Sequence, residues 1–211
     1  MKIYITIIIS IFAFYSLLPA DAGTDQSTHK GDSDKKQDTV QIFPEPFRVN
    51  KPAPDFTLIN QDGKRTGLKD FRGKVVIMNF IYTSCGETCP ALITKFRDIQ
   101  KAMKDKIGKE VILLSITIDP ERDTPKVLKE YAKTHGANPK GWLFLTGTRK
   151  EIDKVLNTYR IIYEKDQKGN IGHVNMTILI DKQGVETYNF GGFNYPAKQV
   201  ISKTKELLAK K

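Results

Sequence analysis

Cysteine is nearly absent from this chain. Cys85 and Cys89 are the only two among 211 residues, which excludes a disulfide-dense scaffold. A staple four residues apart closes a tiny loop and barely constrains the unfolded chain, so stapling is a poor reason for the pair. Histidine is scarce too: His29, His135 and His173 are all there are. A closed structural zinc site wants four ligands, and no fourth is evident beside the cysteines. No arginine precedes Arg48, which excludes an Arg-rich mitochondrial presequence. No cysteine follows the first apolar run, which excludes a lipoprotein anchor there. That run, Ile3 to Leu18, is about 16 residues, short of the roughly 20 that span a bilayer comfortably. No internal repeat is visible, and no proline lies between Pro139 and Pro196.

What is present centres on Phe80-Ile-Tyr-Thr-Ser-Cys85-Gly-Glu-Thr-Cys89-Pro90, directly after an apolar run and before a helical pattern. Residues four apart lie one helical turn apart, so the two sulfurs can converge on one face. Two converging thiolates make a soft pair suited to Cu(I) or Zn(II). After local adjustment the same pair can close a disulfide. Pro90 suits the first position of a helix, and Leu92, Phe96, Ile99, Met103 and Ile107 repeat with helical period. Cys89 then sits at a helix N-terminus, where the positive end potential favours thiolate. Metal binding, redox cycling and a buried structural pair all remain open on these residues.

Met1-Lys2, the apolar run and Ala20-Asp21-Ala22 read as a signal peptide over residues 1–22, cleaved after Ala22 or kept as a membrane anchor. Residues 23–50 are polar and read as a disordered tether. Residues 51–211 read as one globular domain of about 160 residues. The formal charge of +10 is unchanged by signal removal, because Lys2 and Asp21 cancel. A basic surface suits anionic membranes or acidic protein partners. Nucleic acid is not expected, since no binding motif is present and the chain is exported.

Within the domain, Val75 to Tyr82 and Val111 to Ile118 read as buried strands flanking the helix after Pro90. Strand, helix, strand implies a parallel pair with a right-handed crossover. A helix over Thr124 to His135, a strand at Trp142 and a helix over Lys150 to Tyr159 follow. Val174 to Asp181 and Val185 to Phe190 form a hairpin about Lys182-Gln183-Gly184, and the last helix starts near Pro196. The layering is a thioredoxin-like α/β fold, a central mixed sheet flanked by helices. The cysteines lie at the carboxyl end of a strand, where open α/β sheets place their sites.

His135 stands beside Gly136 at a helix end and reads as a cap. His173 stands at a strand entry, a loop position on a rigid frame, where functional side chains concentrate. Asp119-Pro-Glu-Arg-Asp123-Thr124-Pro125 reads locally as an N-cap with proline at the first helical position. Its functional reading has the acidic groups flanking the site and guiding a donor or acceptor. Met176 reads as core.

Tyr82-Thr83-x-Cys85-x-x-x-Cys89-Pro90, Ile118-Asp-Pro-Glu-Arg-Asp-Thr-Pro125 and His173 ahead of Thr177-Ile-Leu-Ile-Asp181-x-x-Gly184 occur in that order. Together they resemble the Sco/SenC family of copper-binding assembly factors for cytochrome c oxidase, from about Lys51 to the C-terminus. The resemblance implies a thioredoxin-like, extracytoplasmic domain tethered at the membrane, in the periplasm or on the outer face of the cytoplasmic membrane. It implies copper held by Cys85, Cys89 and His173 and delivered to the dinuclear copper centre of the oxidase. The implied partners are the copper-bearing oxidase subunit, a copper donor protein and a thiol reductant. Gly86-Glu87-Thr88 and Val174 depart from common family residues; both alter the loops around the site and neither removes a ligand.

The alternative is a thiol:disulfide oxidoreductase in which Cys85 and Cys89 cycle, keeping the oxidase's copper-ligating cysteines reduced. The Cys-x-x-x-Cys spacing is not the Cys-x-x-Cys redox motif, and the segment near Met176 lacks the proline that thioredoxin-like oxidoreductases place opposite their cysteines. A peroxidase reading, from Pro54-Asp-Phe-Thr-Leu58, fits a Cys pair with His173 poorly. Signal processing is directly measurable: N-terminal sequencing of the cell-derived protein is expected to begin at Gly23, and a start at Met1 refutes cleavage.

Overall fold

Two seven-residue strands, β4 (Val75–Ile81) and β5 (Val111–Thr117), are buried at every position. Their near-continuous apolar sequence is what a parallel strand covered on both faces requires. They pair in parallel from Val75 opposite Val111 to Ile81 opposite Thr117. The computed structural model describes residues 46–85, 88–167 and 171–210, with Thr88, Cys89 and Pro90 described in their backbone alone. Residues 1–22, read as a signal peptide, His29 and nearly all of the segment read as a tether lie outside the described residues.

The remaining strands are β1 (Phe47–Pro52), β2 (Thr57–Asn60), β3 (Arg65–Gly67), β6 (Trp142–Thr146), β7 (Tyr163–Lys165), β8 (Ile171–His173), β9 (Met176–Ile180) and β10 (Val185–Gly191). The helices are α1 (Thr88–Ala102), α2 (Pro125–Thr134), α3 (Arg149–Thr158) and α4 (Ala197–Ala209). Eight strands form one sheet in the order β1-β10-β9-β4-β5-β6-β2-β3, with β4, β5 and β6 parallel and the flanking pairs antiparallel. This is the mixed sheet with flanking helices expected of a thioredoxin-like α/β fold. Helices α1 and α4 pack together, α4 also meets β4, and α2 covers β6. No helix among the described residues is long and apolar enough to cross a membrane.

Three boundaries differ from expectation. Strand β1 starts at Phe47 and pairs with β10, so the domain begins inside the segment read as tether. Its side chains are almost all exposed and carry no apolar alternation, which is why the sequence pattern hides it. Helix α1 starts at Thr88, two residues before Pro90. His173 ends a short strand of its own, β8, and the β9 strand begins only at Met176.

Local chemistry explains the other ends. Thr124 caps α2, its hydroxyl accepting from Val127 N, with Pro125 first in the helix. His135 is the C-cap of that helix. Thr148 and Glu151 form a capping box on α3. In the β9–β10 turn, Asp181 Oδ1 accepts from Gln183 N and Val185 N, and Gly184 takes a φ of 77° that a side chain would resist.

Under α1 the core closes on the single tryptophan. The Phe96 and Trp142 ring centroids are 5.7 Å apart, and Trp142 and Phe144 stack at 5.3 Å. The indole donates to Ser115 Oγ at 3.0 Å, and Ser115 donates to Asn79 Oδ1 at 2.8 Å, so a polar chain crosses three adjacent strands and leaves Asn79 Nδ2 without a partner among the described residues. Phe96→Ala leaves a cavity against the indole and is expected to cost about 3–5 kcal/mol. Urea unfolding followed by Trp142 fluorescence checks this; an unchanged midpoint refutes the packing role.

Candidate metal centre

The parallel pairing of β4 and β5 brings two chain segments out of the sheet side by side. After Ile81 the chain turns through Tyr82 and Thr83 to Cys85, whose N–H donates to the Tyr82 carbonyl at 3.3 Å. After Thr117 it runs through Ile118, whose N–H donates to the Ile81 carbonyl at 2.8 Å, into Asp119 and Asp123. Strand β9 runs antiparallel to β4, with Thr177 opposite Asn79, so residues just before β9 approach the same sheet end. His173 reaches it from the β7–β8 hairpin, where it pairs with Tyr163.

Tyr82 joins the two approaches. Its ring stands edge-on to the His173 imidazole, with centroids 6.2 Å apart and an interplanar angle of 73°. Cys85 is half-buried and packs against the core. The backbone of Cys89 lies in the first turn of α1. The described side chains therefore bring Cys85 and His173 to one sheet end, and the helix that carries Cys89 starts there.

His173 Nδ1 lies 3.2 Å from the Val174 carbonyl, which can only accept. That contact favours the hydrogen on Nδ1 and a lone pair on Nε2. Nε2 is buried without a hydrogen-bond partner among the described residues. Burial holds the imidazole below its usual pKa against the opposing pull of the Val174 carbonyl. A neutral ring with an orphaned, covered nitrogen is the state a metal ligand needs, and soft sulfur beside it suits copper. Met176 packs against the core, as expected.

Asp119 and Asp123 depart from the sequence reading. Both are 0 % exposed, so neither can act as a surface charge that guides a partner. Asp123 instead takes hydrogen bonds from Thr83 N at 3.1 Å and from the Thr83 and Thr117 hydroxyls. A local motif reading finds Thr124 as N-cap but misses this role, because Thr83 lies 40 residues away. The described residues also line a cleft of about 360 Å³ beside α3, at Asp55, Arg65, Glu151 and Tyr159. None of the candidate ligands lines it.

A model of the SCO1/SenC family matches residues 46–209. The chain belongs to that family. A SCO1 protein homolog of Bacillus subtilis is 32% identical over 161 residues, 74% of this chain and 83% of the relative. Among solved SCO1/SenC structures, that of Arabidopsis thaliana ScoI with copper bound is 31% identical with a TM-score of 0.65, covering 73% of this chain and 96% of that one. BsSco, a member of the Sco family of cytochrome c oxidase assembly proteins in which a disulfide switch was identified, is 30% identical with a TM-score of 0.68, covering 79% and 99%. The thioredoxin-like architecture of this chain is the one these SCO1/SenC structures share.

The Asp123 contacts carry a stability consequence. Burial raises the Asp123 pKa, outweighing the hydrogen bonds from Thr117 and Thr83 that pull it down. The folded chain thus binds a proton there at higher pH than the unfolded chain does. This contribution to stability is complete below the unfolded pKa and is lost as pH rises through the folded one. Asp123→Asn removes it and disturbs the Thr83 contacts, at a cost of about 1–3 kcal/mol. The gap between wild type and variant in chemical denaturation is expected to be larger at about pH 4 than at about pH 7; a gap that shrinks on acidification contradicts the assignment.

Proposed function

We propose that this SCO1/SenC protein is a copper metallochaperone that holds copper through Cys85, Cys89 and His173 and delivers it to the dinuclear copper centre of cytochrome c oxidase during assembly. The observation that carries the reading is the buried Nε2 of a neutral His173, without a hydrogen-bond partner among the described residues, at the sheet end where Cys85 lies. Family members with copper bound and with a stated part in cytochrome c oxidase assembly support it.

Two thiolates and one imidazole satisfy Cu(I) in trigonal coordination, and the imidazole also suits Cu(II). Three protein ligands leave room for an incoming ligand from the acceptor, so cargo can pass without release to water. On this reading copper is cargo, and the protein's work is to keep the thiols and the Nε2 lone pair facing one point. The acceptor is the copper-bearing oxidase subunit; a copper donor and a thiol reductant complete the set of partners. The working place is the periplasm or the outer face of the cytoplasmic membrane, in keeping with the signal-like residues 1–22.

One finding favours a second reading. The disulfide switch of BsSco makes reversible Cys85–Cys89 oxidation, with reduction of the oxidase's copper-ligating cysteines, the alternative activity. Copper stoichiometry of the reduced, anaerobic protein separates the two. The copper reading expects one copper per chain, with Cys85→Ser, Cys89→Ser and His173→Ala each weakening it by more than about tenfold, roughly 1.4 kcal/mol. No bound copper together with reversible thiol oxidation overturns it in favour of the reductant.

A further inference from the structure

The cysteine loop and the histidine hairpin both rest on one short segment. On the cysteine side, Asp123 holds the backbone N–H and hydroxyl of Thr83, two residues before Cys85. On the histidine side, the buried Asp119 gives one carboxylate oxygen, Oδ2, to Arg122 Nε within the same segment. Its other oxygen, Oδ1, has no hydrogen-bond partner among the described residues and faces Lys165 Nζ at 3.7 Å. Lys165 lies on β7, the strand whose first residue, Tyr163, pairs with His173.

Arg149 braces the same junction. It donates to the Ile118 carbonyl at 3.0 Å, pairs with Glu121 at 3.5 Å, and lies over the Tyr163 ring at 5.3 Å. The hairpin therefore meets residues 118–123 through two cations. Lys165 matters more than an exposed ion pair ordinarily would, because its partner carboxylate is wholly buried. Without Lys165 the buried carboxylate keeps Arg122, on its own segment, but loses its tie to β7.

We propose that residues 119–123 are the common seat of both halves of the metal centre, with Asp123 positioning the cysteine arm through Thr83 and Asp119 positioning the histidine arm through Lys165. The copper part of this inference rests on the ligand assignment proposed above. Asp119, Asp123, Thr83 and Lys165 are positioning residues: none is asked to touch copper. The seat explains why two acidic side chains are buried beside the site and not displayed around it. Each arm has its own polar tether, and the Tyr82 ring against His173 is the contact the two arms share.

The test separates the arms in metal-free protein first. By amide hydrogen exchange, Lys165→Met is expected to speed exchange across the β7–β8 pairs at Tyr163 and His173, leaving the Cys85 amide unchanged. Thr83→Val is expected to do the reverse, and Lys165→Arg to restore the hairpin. In copper titrations, Lys165→Met should weaken binding by about tenfold, within the 10–100-fold range of outer residues that orient ligands. It should add nothing to the loss already produced by His173→Ala, because both act through the imidazole. Unchanged hairpin exchange, or a Lys165→Met loss that adds fully to that of His173→Ala, overturns the seat. If wild type binds no copper, the copper reading falls, and the two exchange patterns alone decide whether the arms are seated as proposed.

Discussion

The site depends on the in-register parallel pairing of β4 with β5. A parallel ladder advances both strands in one direction, so Ile81 and Thr117 end opposite each other and their following segments leave at one place. The Ile118 N–H bond to the Ile81 carbonyl carries the pairing one step past the strand end. Without that registry, Asp123 could not reach Thr83, and the turn before Cys85 would lose its anchor. The cost of the arrangement is interior polarity. Asn79, Ser115, Thr117, Asp119 and Asp123 are all buried, and the structure meets most of the demand by bonding them to one another, leaving Asn79 Nδ2 and Asp119 Oδ1 without hydrogen-bond partners among the described residues.

The long elements were legible because their signals are local and redundant. Strands β4 and β5 are unbroken apolar runs, α1 has a clean helical period, and Asp181-x-x-Gly184 announces a turn. The cysteine pair and His173 stood out because so few residues of their kinds exist. The small elements were not legible, for physical reasons. Strands β7 and β8 have three residues each, too few for a period of two to be counted. Strand β1 lies at the sheet edge with its side chains in water, so hydrophobic pattern had nothing to register.

The acidic motif shows where local reading stops. Thr124 and Pro125 explain why a helix begins there, and the sequence expectation for both holds. The same seven residues also contain two buried carboxylates whose partners come from other elements: Thr83 from the turn after β4 and Lys165 from β7. Nothing in spacing or composition distinguishes a buried acceptor from a solvated charge. Only the fold does, by bringing unpaired donors against them. A carboxylate reading based on surface steering therefore gave way to one based on hydrogen-bond acceptance.

This division of labour bears on how a copper carrier can be both selective and willing to let go. On the proposed ligand assignment, soft sulfur would supply affinity, while a neutral imidazole on a separate hairpin would supply a third contact. Burial favours the neutral His173 ring, and the Val174 carbonyl leaves the lone pair on Nε2, so the ring needs no proton loss before it can ligate. The hairpin that bears it is three residues a side and forms a small sheet separate from the main one. A side chain carried on such an element is easier to move than the turn before Cys85, which Asp123 holds through Thr83. On the proposed ligand assignment, that asymmetry sets an order for release: the histidine arm would loosen first, opening coordination to an acceptor while the thiolates still held the cargo.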